Sequence, residues 1–294
     1  VDDALERVLG SERGNVKSVL LCIQAFCRGE AMLLRASCRL TFEVKTPTAM
    51  ILMLRPRSGA GQWVTRETYA INPQAAVYEY TDSYGNLCQR LVAPEGPFEV
   101  LTEAEVETAA TIDTQPGAPF TPVDQLPDSA IPFLLPSRYC ESDRLLDLAQ
   151  NVVGDAQPGY DQAAAICDWI HQNVTYRYGT SDASTSARDT AEGRVGVCRD
   201  FAHLGVALCR SMSLPARMVV GYLHRLDPMD MHAWFEVFAG GRWYTFDATQ
   251  EAPRGGRIVV AYGRDAADVA VATVFGSAQL GELAVQVEEV PAGA

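Results

Sequence analysis

The chain has 294 residues, 48% hydrophobic and 21% charged, which excludes disorder, collagen and low complexity and suits about two domains of ~150 residues. Its 37 acidic against 24 basic residues leave a formal charge of −13, which disfavours both a nucleic-acid partner and an anionic membrane surface. Eight cysteines, at 22, 27, 38, 88, 140, 167, 198 and 209, form no CxxC pair and read as reduced, mostly buried thiols of a cytoplasmic protein. No apolar run approaches the ~18 residues of a membrane helix, and the short run Val19–Phe26 follows an acidic leader, so it is not read as a signal peptide.

In chain order, residues 1–31 are either an extension upstream of a start at Met32 or an N-terminal helix packed on the fold. From Ala36 to Val44 apolar and polar residues alternate, the period of a strand with one wet face. Further strands are expected at 49–54, 63–71, 77–80, 87–92 and 97–107, and no helical period interrupts them. The region 32–115 therefore reads as a β-sandwich. Six prolines between 116 and 136 exclude helix and central strand and mark a linker over 116–139. Beyond it the chain turns helical, with Ser142-Asp143 and Asp161 as candidate N-caps, and strands follow from about 216. Residues 140–275 form a separate α+β core, and 276–294 remain as a C-terminal strand and tail.

The chemistry concentrates between Arg194 and Gln250. Gly193 and Gly196 break the preceding helix, and Phe201, Leu204, Leu208 and Met212 recur at helical spacing, so Cys198 falls at a helix N-terminus. Free amides and the helix dipole there favour a thiolate and could stabilise a substrate oxyanion. A nucleophilic thiol needs a base, and the base needs an orienter. Of four histidines, His171 packs within its helix and His203 lies about 140° around from Cys198. His224 sits at a strand end beside the Asp227-Pro228 turn, which leaves His232. Gly240-Gly241 signals a two-residue hairpin that sets Ala239 opposite Arg242. In that register His232 is the diagonal neighbour of Asp247 on one face, ~7–8 Å apart and within reach of an imidazole–carboxylate bond. A three-residue loop would separate them onto opposite faces.

Gly196-Val-Cys-Arg-Asp-Phe-Ala-His203, Leu214 to Tyr222, His232-Ala-Trp-Phe-Glu236 and Trp243 to Thr249 resemble the transglutaminase-like superfamily in its bacterial form. The resemblance implies a papain-like α+β core with Cys198 as nucleophile, His232 as base and Asp247 as orienter. The preceding β domain and Gly263-Arg-Asp-Ala-Ala-Asp268 are similar to segments of the same group. Asp247-Ala-Thr stands where the family often has Asp-Pro-Thr. Trp169 reads as core packing, not as the oxyanion-hole tryptophan of some relatives, so the second oxyanion donor is unassigned. No calcium loop is found, and no cofactor or metal is implied. The expected activity is acyl transfer or hydrolysis on a peptide or protein amide through a thioester. The alternatives are a cysteine peptidase or amidase, and a non-catalytic binding module that retains the triad.

Overall fold

The computed structural model describes residues 31–59 and 61–291, so the segment 1–31 lies outside it apart from Ala31. Alternation builds β1 (Ala31–Val44): Leu34, Ala36, Cys38, Leu40, Phe42 and Val44 are buried, and the residues between them are not. After it come β2 (Thr48–Leu52), β3 (Gln62–Asn72), β4 (Val77–Thr81), β5 (Leu87–Ala93) and β6 (Gly96–Ala109), with no helix among the described residues.

Two late strands complete this half. β13 (Ala272–Phe275) pairs antiparallel with β2, and β14 (Ala278–Glu289) pairs antiparallel with β1. The result is two four-stranded sheets, β14-β1-β6-β3 and β13-β2-β5-β4, whose facing residues share one apolar cluster that includes Leu34, Leu40, Met50, Leu91, Phe98 and Val106. The expected division at 275 therefore shifts. Without residues 272–289, β1 and β2 would each carry a row of unpaired backbone groups at a sheet edge.

The proline-rich segment 116–139 is packed, not a free tether. Its prolines do exclude regular elements, leaving two short 3-10 turns at Val123–Gln125 and Ile131–Leu134. Yet Ala118, Leu126, Ala130 and Phe133 are buried, and Tyr160 and Gly240 donate their amides to Ala118 O (3.0 Å) and Pro119 O (2.8 Å).

The second half holds helices α1 (Leu146–Val153), α2 (Tyr160–Asn173), α3 (Ala187–Gly193) and α4 (Cys198–Ser211). The expected caps differ. Ser142-Asp143 lies in a 3-10 turn before α1. Asp161 sits inside the first turn of α2, where its carboxylate accepts from the Gly117 amide at 2.8 Å. A short parallel pair joins β7 (Thr175–Tyr176) to β8 (Val195–Gly196). The main sheet, in order β11-β10-β9-β12, consists of β9 (Ala216–Leu223), β10 (His232–Ala239), β11 (Arg242–Phe246) and β12 (Arg257–Gly263). Helix α4 lies on β10, and the approach requires Gly205, since a Cβ there would stand 2.5 Å from the Phe235 ring.

The outer strand β12 is closed by side chains from the sandwich. Asn86 bonds both the amide (2.8 Å) and the carbonyl (2.7 Å) of Tyr262, and Gln62 does the same for Val259 at 2.7 and 2.8 Å. Thr108 donates its hydroxyl to Arg257 O at 2.7 Å. Met218, Val220, Tyr222, Ile258 and Val260 from β9 and β12 belong to the sandwich's apolar cluster, so one face of the main sheet packs on the sandwich, while the helices pack in a second cluster with Phe235 and Val237.

Candidate active site

Helix α4 begins at Cys198 because Gly193 ends α3, Arg194 takes a left-handed conformation (φ 54°), and Val195-Gly196 is held extended against β7. Gly196 is needed where it stands: a Cβ there would meet Asp200 Cβ at 2.6 Å. The buried Asp200 carboxylate folds back to accept the Val197 amide at 2.8 Å, which satisfies one of the free donors of the helix start. The Cys198 thiol is half-buried and neighbours the Tyr176 phenol. Burial, and then the neighbouring thiol and Tyr178, hold the Tyr176 phenol far above its ordinary value.

His232 opens β10, opposite Gly221 of β9. Asp247 follows the last residue of β11, and the register is the expected one, with Ala239 opposite Arg242 and Phe235 opposite Phe246. Both turn glycines have positive φ, 54° at Gly240 and 86° at Gly241, as a two-residue hairpin of this hand requires. His232 Nε2 and Asp247 Oδ2 are 2.7 Å apart, and the two side chains are 2% and 4% exposed. With Nε2–H donated to the carboxylate, Nδ1 is the other ring nitrogen, and the Cys198 sulfur is a close neighbour of this imidazole. The structure thus joins His232 to Asp247 directly and sets the Cys198 sulfur near the imidazole.

Burial opposes a charge on His232, but the Asp247 carboxylate and the Cys198 sulfur outweigh it and push the imidazole up to about 9. Burial likewise works against an ionised Asp247. Here too it is outweighed: His232, then Arg257, hold the carboxyl well below the usual carboxylate range. Asp247 Oδ1 accepts from the amide (3.1 Å) and hydroxyl (2.7 Å) of Thr249. Oδ2 also accepts from Arg257 Nη2 at 2.8 Å, a contact that the sequence pattern did not suggest. Arg257 lies ten residues further on, in a strand beside β9 on the far side of the sheet from β11, so no local spacing points to it.

The remaining histidines stand elsewhere. His171 contacts Ala248 O through Nδ1 at 3.0 Å and so ties α2 to the residue after Asp247. His203 is fully buried, stacked on Tyr139 (5.1 Å, 4°), and accepts the Ala266 amide at Nε2. Burial pushes it down to about 3. His224 follows β9 and gives its amide to Gly256 O at 2.9 Å. Trp169 packs partly buried against the helical core with the Arg194 guanidinium 4.3 Å above its ring. Among the described residues no three His, Cys, Asp or Glu side chains gather as metal ligands would, and no helix is long and apolar enough to cross a membrane.

Two family descriptions match this chain. Residues 146–248 match the transglutaminase-like superfamily, and residues 46–108 match the bacterial transglutaminase-like N-terminal region. A solved structure of a candidate cysteine protease from Cytophaga hutchinsonii is 39% identical, with a TM-score of 0.83 over 90% of this chain and 92% of that one. An uncharacterized protein of Mycobacterium tuberculosis (strain H37Rv) is 30% identical over 248 residues, covering 74% of this chain and 77% of its own length. Another, from Mycobacterium leprae, is 29% identical over 231 residues, covering 74% and 82%.

Proposed function

Because the chain belongs to the transglutaminase-like superfamily, we propose that it is a thiol enzyme acting on peptide-like amides, with Cys198 as nucleophile, His232 as base and Asp247 as the group that orients the imidazole. One observation carries the reading: a buried imidazole is held by a carboxylate oxygen at 2.7 Å from one ring nitrogen and has a half-buried thiol at the start of a helix as its neighbour. That is the division of labour a thiol triad needs.

The steps follow from the geometry. His232 Nδ1 takes the thiol proton, and the thiolate attacks the amide carbonyl carbon. The oxyanion that forms is met by the Cys198 amide at the positive end of α4. The imidazolium returns its proton to the departing amine or ammonia, leaving a thioester on Cys198. Water or a second amine, deprotonated by His232, then takes the acyl group and restores the thiol. Throughout, Asp247 fixes the tautomer with Nε2 protonated and stabilises the imidazolium. The likeness to a candidate cysteine protease supports a peptide as acyl donor.

The test is product analysis with glutamine-containing peptides and peptide amides, with and without an added primary amine, followed by mass. Cys198-dependent loss of ammonia, peptide cleavage or amine incorporation is expected, and which product forms identifies the acceptor. A parent protein whose products match those of Cys198→Ala across the panel would refute the proposal.

A further inference from the structure

Arg257 places a second cation on the carboxylate that orients His232. Its Nη2 donates to Asp247 Oδ2 at 2.8 Å, the same oxygen that His232 Nε2 approaches at 2.7 Å. The guanidinium is held on other sides as well. Its Nε donates to Arg254 O at 2.9 Å, its own carbonyl accepts from Thr108 at 2.7 Å, and its carbon lies 4.9 Å from the Trp234 ring centre. Its side chain is 6% exposed, and Nη1 has no hydrogen-bond partner among the described residues. A buried cation that leaves a donor unmatched is poor design for stability alone, because an apolar side chain would avoid both costs. The residue also lies outside both matched family segments, which end at 108 and 248.

We propose that Arg257 is a positioning residue that sets the pH range of the thiol–imidazole pair by neutralising part of the Asp247 charge. The proposal rests on the reading of Cys198 and His232 as that pair. With Arg257 bound, the carboxylate charge is shared between two cations, so the imidazolium is stabilised less than by a free carboxylate. The same positive charge favours the thiolate over the thiol. The groups facing this cluster are Cys198 from α4, Tyr176 from β7 beside that thiol, Asp247 and Thr249 after β11, Cys167 from α2 and Arg257 from β12. Among them Arg257 is the cation fixed by an ion pair to Asp247. Removing its charge while Asp247 stays in place makes the imidazolium harder to deprotonate and the thiolate harder to form. Both limbs of the pH profile should move to higher pH, the His232 limb by about one unit.

The experiment is alkylation of Cys198 by iodoacetate, followed by peptide mass, from pH 4 to 11 in the parent, Arg257→Gln, Arg257→Met and Arg257→Lys. Iodoacetate is an anion that reacts with a thiolate beside an imidazolium, so its rate profile is a bell that reports both limbs. Histidine-selective NMR titration of His232 in the same proteins reads the imidazole without needing the thiol to react. The expected result is a bell displaced upward in the two neutral variants and restored by Arg257→Lys. A lower bell at unchanged pH, or a His232 titration that falls, would mean that Arg257 only props up the loop and would overturn the proposal. So would loss of fold in both neutral variants with Arg257→Lys folded. A parent Cys198 that reacts no faster than a free thiol would strike the enzyme reading instead, and the His232 titration would still decide the part played by Arg257.

Discussion

Asp247→Asn should cost this protein stability as well as activity. Four donors converge on the carboxylate: His232 Nε2, Arg257 Nη2, and the amide and hydroxyl of Thr249, at 2.7, 2.8, 3.1 and 2.7 Å. An asparagine offers one acceptor oxygen and turns an NH2 group toward the other donors. At least one buried donor loses its partner, at about 1–3 kcal/mol. The Arg257 guanidinium, 6% exposed against a carboxylate that is 4% exposed, also becomes an uncompensated buried charge. Breaking such a pair typically costs about 3–5 kcal/mol in all. The assay is urea unfolding of the parent, Asp247→Asn, Arg257→Gln and the double variant, with the m-value checked for constancy. The double variant should be less unstable than the sum of the singles, because the stranded cation is gone. A loss below about 1 kcal/mol in Asp247→Asn, or strict additivity in the cycle, would refute the reasoning.

Other outcomes follow from the same geometry. Gly221→Ala should abolish soluble expression or lower the melting temperature sharply, because its Cβ would stand 1.9 Å from Ile258 O, a backbone atom of the neighbouring strand. His232, raised from 6.5 to about 9, should contribute stability that is full below pH 6.5 and lost as pH rises through about 9. At about 1.4 kcal/mol per unit this is about 3 kcal/mol, and His232→Gln should flatten that slope in unfolding curves at pH 6 and 10. His203, pushed down to about 3, acts in the opposite direction: its contribution is full above pH 6.5 and lost as pH falls toward 3. His203→Gln, which can still accept the Ala266 amide, should make that acid limb shallower.

Much of this site was legible because its decisive geometry is local. Gly240-Gly241 allows one tight hairpin, the hairpin sets the register, and the register puts His232 and Asp247 on one face, where the 2.7 Å contact forms. The helix start at Cys198 follows from glycines before an apolar stripe. The sandwich strands were visible for the same reason, since period two shows without knowledge of partners. Long-range pairing was not visible. Nothing in the composition of 272–289 tells that it returns to β1 and β2 across more than 200 residues. Nor does the density of prolines in 116–139 reveal that a chain unable to form helix or strand can still bury Ala130 and Phe133. Arg257 belongs to this class, because its contact with Asp247 exists only once β12 has docked beside β9 and the sandwich side chains have closed its outer edge.

The central claim is that Cys198 forms a covalent acyl-enzyme, and intact-protein mass spectrometry after exposure to an activated acyl donor at pH 6 to 7 tests it most directly. The account predicts one adduct, mapped to Cys198 and removed by amine or water. The adduct should be absent in Cys198→Ala, with a melting temperature close to that of the parent. Cys38, Cys140 and Cys209, fully buried and pushed up to about 11, about 12 and further still, should remain unmodified. No adduct in the parent, together with a large fall in melting temperature in Cys198→Ala, would show a structural cysteine and contradict the account.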